Sequence, residues 1–155
     1  MQPRNPFAID PNHNHTPDDP RVFVFGSNYY GLHGGGAARY AADKLGAEMG
    51  VWEGMTGRSY ALPTCSEPGV SLPIEDVRGH VNKFIDYAYD HPDVKFFVSA
   101  VGCGLAGLQE WEVAPMFLDA PENCILPPGW KELGQLVDDE GPPDNVHGMF
   151  DLTDA

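Results

Sequence analysis

Two glycine-dense segments hold the residue types that could do chemistry in this chain. The first runs Gly26, Ser27, Asn28 and then, after Gly31, through Gly34, Gly35 and Gly36 into Ala37 and Ala38. Three consecutive glycines at the opening of a helix cost about 1 kcal/mol each against alanine, so they need a reason. Without side chains, backbone N–H groups can approach a phosphate closely at the positive end of a helix. The structural alternative is a tight strand-to-helix turn packed under another element. The second segment, Gly102, Cys103, Gly104, Leu105, Ala106 and Gly107, fits the pattern G-x-G-x-x-G. A dinucleotide fingerprint would carry an acid about 20 residues on, at the end of the next strand. That strand ends at Leu126 and Pro127 without one, which disfavours a full dinucleotide dehydrogenase. Two phosphate-type loops on neighbouring strands suit a site that pinches a diphosphate from both sides.

Both loops need elements to position them. Residues 21–25 form a short β-branched and aromatic run stopped by Gly26, the pattern of a buried parallel strand. Ala37, Ala38, Tyr40, Ala41 and Leu45 follow at helical spacing, with Gly46 as a stop. Residues 50–64 read as a strand pair turning near residues 55–57 and ended by Pro63. Pro73, with Glu75 and Asp76 behind it, opens the clearest helix. Ile74, Val77, Val81, Phe84, Ile85 and Ala88 share one face of it, and His91-Pro92 closes it. Residues 94–98 are the next buried strand. Trp111, Ala114 and Leu118 mark a short helix and residues 124–126 a last strand. Alternating strands and helices predict a three-layer α/β domain with a mixed, mostly parallel central sheet. In such sheets ligands bind beyond the carboxyl ends of the strands, where both glycine-rich loops fall.

The expected organisation is an extended, loosely attached arm over residues 1–20, the nucleotide-binding domain over residues 21–126, and an acidic Pro/Gly-rich tail over residues 127–155 with a brief helix near 131–137. The arm's His13 and His15 lack a third ligand nearby, so no metal site is expected. A formal net charge of −14 over 155 residues opposes broad binding to a nucleic-acid backbone, yet leaves room for a small anion held by backbone amides. The acids crowded toward both ends, Asp10 and Asp144 among them, read as solubility. No apolar run approaches the roughly 20 residues of a membrane span, and residues 1–10 lack a signal-peptide pattern. Three widely spaced cysteines, Cys65, Cys103 and Cys124, argue against a disulfide framework and for a reducing, cytoplasmic setting. Cys65 and Cys124 read as structural.

The combination of residues 25–28, the stretch from Gly31 to Ala38, Ser59-Tyr60-Ala61-Leu62-Pro63-Thr64, and residues 102–107 resembles the macro domains, and most of all a group of small macro-like proteins of phages and bacteria. The likeness covers roughly residues 21–126. It implies an ADP-ribose-like nucleotide as ligand and no cofactor. Gly26, Ser27, Asn28, Gly34, Gly35 and Gly36 would form one wall of the site, with Asn28 facing the distal ribose. Gly102, Cys103, Gly104, Leu105, Ala106 and Gly107 would wrap the diphosphate. The early Asp that macro domains use to hold adenine has no clear counterpart, Asp10 lying in the right region without its context. Macro relatives include hydrolases of ADP-ribosyl and ribose-phosphate bonds. In that reading Asn28 orients a water or hydroxyl, and His33 acts as general base from an ordinary pKa of about 6.5, unless it bonds only to turn backbone. A hydrolase dependent on Cys103 and His33 is an alternative, if a helix N-terminus activates the thiol rather than Cys103 simply packing. Another is a non-catalytic interaction protein that keeps the fold. Tyr29 and Tyr30 could stack on a base or ribose.

Overall fold

Alternation within one strand organises the molecule. In β1 (Val22–Asn28) successive side chains point to opposite faces of the sheet. Val22 and Val24 join a large apolar cluster on one face, and Phe23 and Phe25 join a smaller one on the other. A computed structural model describes residues 13–141, apart from the side chains of residues 139 and 140. Residues 1–12 and 142–155, with Asp10 and Asp144, lie outside the described residues.

The chain is an α/β protein with a six-stranded, mostly parallel mixed sheet. The other strands are β2 (Gly54–Thr56), β3 (Ser59–Glu67), β4 (Val70–Ser71), β5 (Phe96–Val98) and β6 (Cys124–Ile125). They lie in the order β2-β3-β1-β5-β6, with β4 paired to β3. β1 runs parallel to β3 and β5, and β5 parallel to β6, while β2 and β4 are antiparallel to β3. Among the described residues β2 and β6 are the outer strands, three and two residues long.

The helices are α1 (Gly36–Lys44), α2 (Ile74–Asp90), α3 (Glu110–Val113) and α4 (Trp130–Glu140). α1 seats Ala41 against Phe23, Phe25 and Phe97 on one face of the sheet. α2 buries Val77, Val81, Phe84, Ile85 and Ala88 on the other, together with elements from α3 and α4. The predicted stripe of α2 is therefore the packed one, and Pro73 is its N-cap. Because the chain leaves β1 toward one face and β5 toward the other, a crevice opens where their loops part.

Three expectations change. Pro63 does not end its strand: β3 continues to Glu67, with Pro63 opposite Ser27 of β1 and beyond Ala61, where the pairing with β2 stops. Residues 127–141 are no mere tail. After Pro127, Pro128 and Gly129, α4 brings Trp130 into the large cluster at 1% exposure, with Leu133 packed beside it. The segment over residues 13–20 is not loosely attached either. His13 Nε2 meets the Val98 carbonyl at 2.9 Å and its ring stacks on Phe97. His15 lies between the Tyr40 hydroxyl, 2.8 Å from Nδ1, and the Arg21 carbonyl, 3.0 Å from Nε2. Asp19 pairs with Arg21, whose guanidinium holds the carboxyl down to about 2.

Candidate functional site

Asn28, the last residue of β1, shapes the loop that follows it. Its Oδ1 accepts from the amides of Tyr30 at 3.1 Å and Leu32 at 3.2 Å, and its Nδ2 donates to the Leu32 carbonyl at 2.8 Å. This side chain folds the turn the way Asn does when it substitutes for backbone. Gly31 sits inside that turn at φ +67°, where a Cβ would lie 2.5 Å from the Gly50 carbonyl carbon. The chain then passes His33 and reaches the glycine triplet.

The triplet behaves differently. A Cβ at Gly34 would meet nothing within 4 Å, and Gly34 has no left-handed φ. At Gly36, φ is +55°, again with open space around the position. Packing under another element, the structural alternative, therefore does not account for Gly34. Gly35 caps α1 with no side-chain cap, and no acid occupies the first turn. The amides of Gly36, Ala37 and Ala38 lack helical acceptors, as they must at any helix start, while that of Arg39 reaches the Gly35 carbonyl at 3.2 Å. With no acid in its own first turn, the positive end of α1 faces the crevice.

The second loop leaves β5 at Val98. Ser99 anchors its root, donating from Oγ to the Val24 carbonyl at 2.6 Å. Turn bonds from Cys103 to Ala100, Gly107 to Gly104 and Leu108 to Gly102 set its shape. The amides of Gly102, Gly104, Leu105 and Ala106 have no hydrogen-bond partner among the described residues.

The two loops converge. A Cβ on Gly26 would lie 3.4 Å from the Gly102 nitrogen, and one on Gly35 would lie 3.7 Å from Leu105 Cδ1. Between them is a cleft of about 710 Å³ with Thr64 and Cys65 of β3 at its base, a size in the usual range for small-molecule sites. Of the expected ligand residues, Gly26, Ser27, Asn28 and residues 34–36 line it from one side, and residues 102–106 from the other. Gly107 does not; at φ +76° it closes the turn instead. Residues that sequence reasoning missed also line it: Pro68 and Gly69 of the β3–β4 turn, Ser99, and Glu110 of α3. A Pro-Gly turn was readable at 68–69, but nothing local ties that turn to the two loops.

The expected catalytic groups fare less well. His33 is not on the cleft. Its ring is 1% exposed, edge-on to Phe25, with Nε2 donating to the Glu48 carbonyl at 3.0 Å. Burial lowers its pKa, the Glu48 bond acting in the opposite direction. It is a strut between two loops, and buried away from the cleft it does not reach a ligand there as a general base. Cys103 does reach the cleft, but burial pushes its thiol up to about 12, with the charges of Glu110 and Glu112 adding to the effect. Such a thiol is not an activated nucleophile, and the Cys103–His33 hydrolase falls with it. Asn28 spends both ends of its amide on loop backbone. Tyr29 and Tyr30 do not line the cleft. Tyr29 instead reaches His80 on α2 at 2.8 Å, and His80 in turn meets Glu53 at 2.6 Å.

Electrostatically, among the described residues Glu110 is the one charged side chain that lines the cleft, and no Lys or Arg joins it. An anion here would be held by backbone amides and the α1 dipole. No family model, curated protein or solved structure matches the chain.

Proposed function

We propose that the protein is a binding module for a nucleotide of the ADP-ribose kind, its diphosphate resting on backbone amides of residues 36–38 and of Gly102, Gly104, Leu105 and Ala106. The observation that carries this reading is Gly34. Neither φ nor packing demands a glycine there, yet the residue sits on the cleft directly before the uncapped start of α1. Closeness to a ligand is the remaining physical reason for the absent side chain. The volume of the cleft and the facing amides of the second loop support the same reading, as does the likeness of the two loops to those of macro domains. Binding is favoured over hydrolysis, because His33 is buried away from the cleft and the Cys103 thiol is held protonated.

A thermal-shift panel tests this with ADP-ribose, ADP-ribose-1″-phosphate and NAD. A ligand at 100 times its Kd stabilises the native state by about 2.7 kcal/mol, a readily measured rise in Tm. Gly34→Glu should abolish the shift while leaving the unliganded Tm within a few degrees, since its side chain enters open space but brings a negative charge to the phosphate site. No shift with any of the three ligands would refute the reading.

A further inference from the structure

Glu110 has no part in shaping the loops, yet it is the charged group at the cleft. Its carboxylate is held from behind: Oε1 accepts from Trp130 Nε1 at 2.7 Å, and that indole is buried in the core. The neighbouring Glu112 is used otherwise, its Oε1 accepting from the Gln109 amide at 2.9 Å to cap α3. Two carboxylates two residues apart thus have separate duties, one closing a helix and one bonded to a buried indole on a residue that lines the cleft. Glu110 shares the lining of the cleft with Cys103, Gly104, Leu105 and Ala106 of the second loop. An ionised carboxylate only accepts hydrogen bonds. Beside it a phosphoryl group is repelled, and a hydroxyl gains a charge-assisted bond.

We propose that Glu110 is a specificity-determining residue that fixes the direction in which the ligand lies. It accepts hydrogen bonds from sugar hydroxyls beside α3 and thereby keeps the phosphoryl groups away from α3, on the amides of the two loops. The inference rests on the reading of the cleft as a phosphate-bearing nucleotide site. It adds that the ligand must carry a hydroxyl-bearing sugar next to its phosphates, and that a phosphate at that end is rejected.

The test is calorimetric titration of the full chain and its Glu110→Gln variant with two probes, ADP-ribose and inorganic pyrophosphate. Glutamine keeps a carbonyl acceptor for the Trp130 indole, so an unchanged Tm is expected and serves as the control for folding. The variant should bind ADP-ribose about tenfold more weakly, the scale of one charge-assisted bond, and pyrophosphate equally well or several-fold more tightly. A split in opposite directions is something a merely structural role would not produce. A ligand-side measurement needs no variant: an ADP-ribose analogue lacking the terminal ribose hydroxyls should bind the unaltered protein about tenfold more weakly than ADP-ribose. Pyrophosphate binding with both probes shifted alike by the variant, or with ADP-ribose indifferent to it, overturns the role of Glu110 and leaves the cleft reading standing. Failure of both probes to bind the unaltered protein overturns the two together.

Discussion

The two glycine-rich loops have similar composition and different physics. In the first, the glycines divide by purpose. Gly31 is required by its own backbone, at φ +67° and pressed against Gly50, whereas Gly34 is required by neither conformation nor contact. In the second, Gly102 stands at φ +80° with Leu108 Cδ1 2.8 Å from where its Cβ would be, and Gly107 stands at φ +76°. These two are demanded by the turn itself. A glycine count therefore says little about a ligand, while a glycine with no structural need says a good deal.

That contrast can be broken at three positions. The largest effect should come from Gly31→Ala. Its methyl would collide with backbone, which cannot swing aside, and it would occupy a left-handed conformation; a loss of about 3 kcal/mol in chemical denaturation is expected. Gly102→Ala should cost less, about 1–2 kcal/mol by the same measurement, because its clash is with the movable end of a leucine and mainly the φ penalty remains. Gly34→Ala should be the mildest for folding, from no change to a gain of about 0.5 kcal/mol through a less flexible unfolded chain. It should nonetheless weaken ADP-ribose in titration. Equal losses of stability at positions 31 and 34 would erase the division of purpose among the glycines of the first loop.

Much of the scaffold was legible because periodicity reports burial. The continuous apolar run over residues 21–25 announced a strand buried on both faces and the stripe from Ile74 to Ala88 a packed helix face, and both pack as read. The segments of the cleft were legible for a related reason, as loops after parallel strands must gather at one end of the sheet. What failed was side-chain direction in irregular chain. His33 lies between Leu32, which lines the cleft, and Gly34, which does too, yet its own ring turns inward to Glu48; no spacing rule covers a single loop residue. Trp130 was hidden by its setting, since Pro127, Pro128 and Gly129 look like the start of a tail, and the partner that orients its indole is Glu110, 20 residues earlier. His13 and His15 misled similarly, because a polar, proline-rich composition does not reveal that two imidazoles will stack and hydrogen-bond onto the face built by Phe23, Tyr40 and Phe97.

The brevity of the outermost strands has a consequence for association. β2 and β6 offer three and two residues of ladder, too few unpaired amides and carbonyls to template a strand from another molecule. With a formal charge of −14 repelling like chains, growth of the sheet from copy to copy has little to build on. Among the described residues, the margins of the sheet thus give a neighbouring copy little ladder to extend.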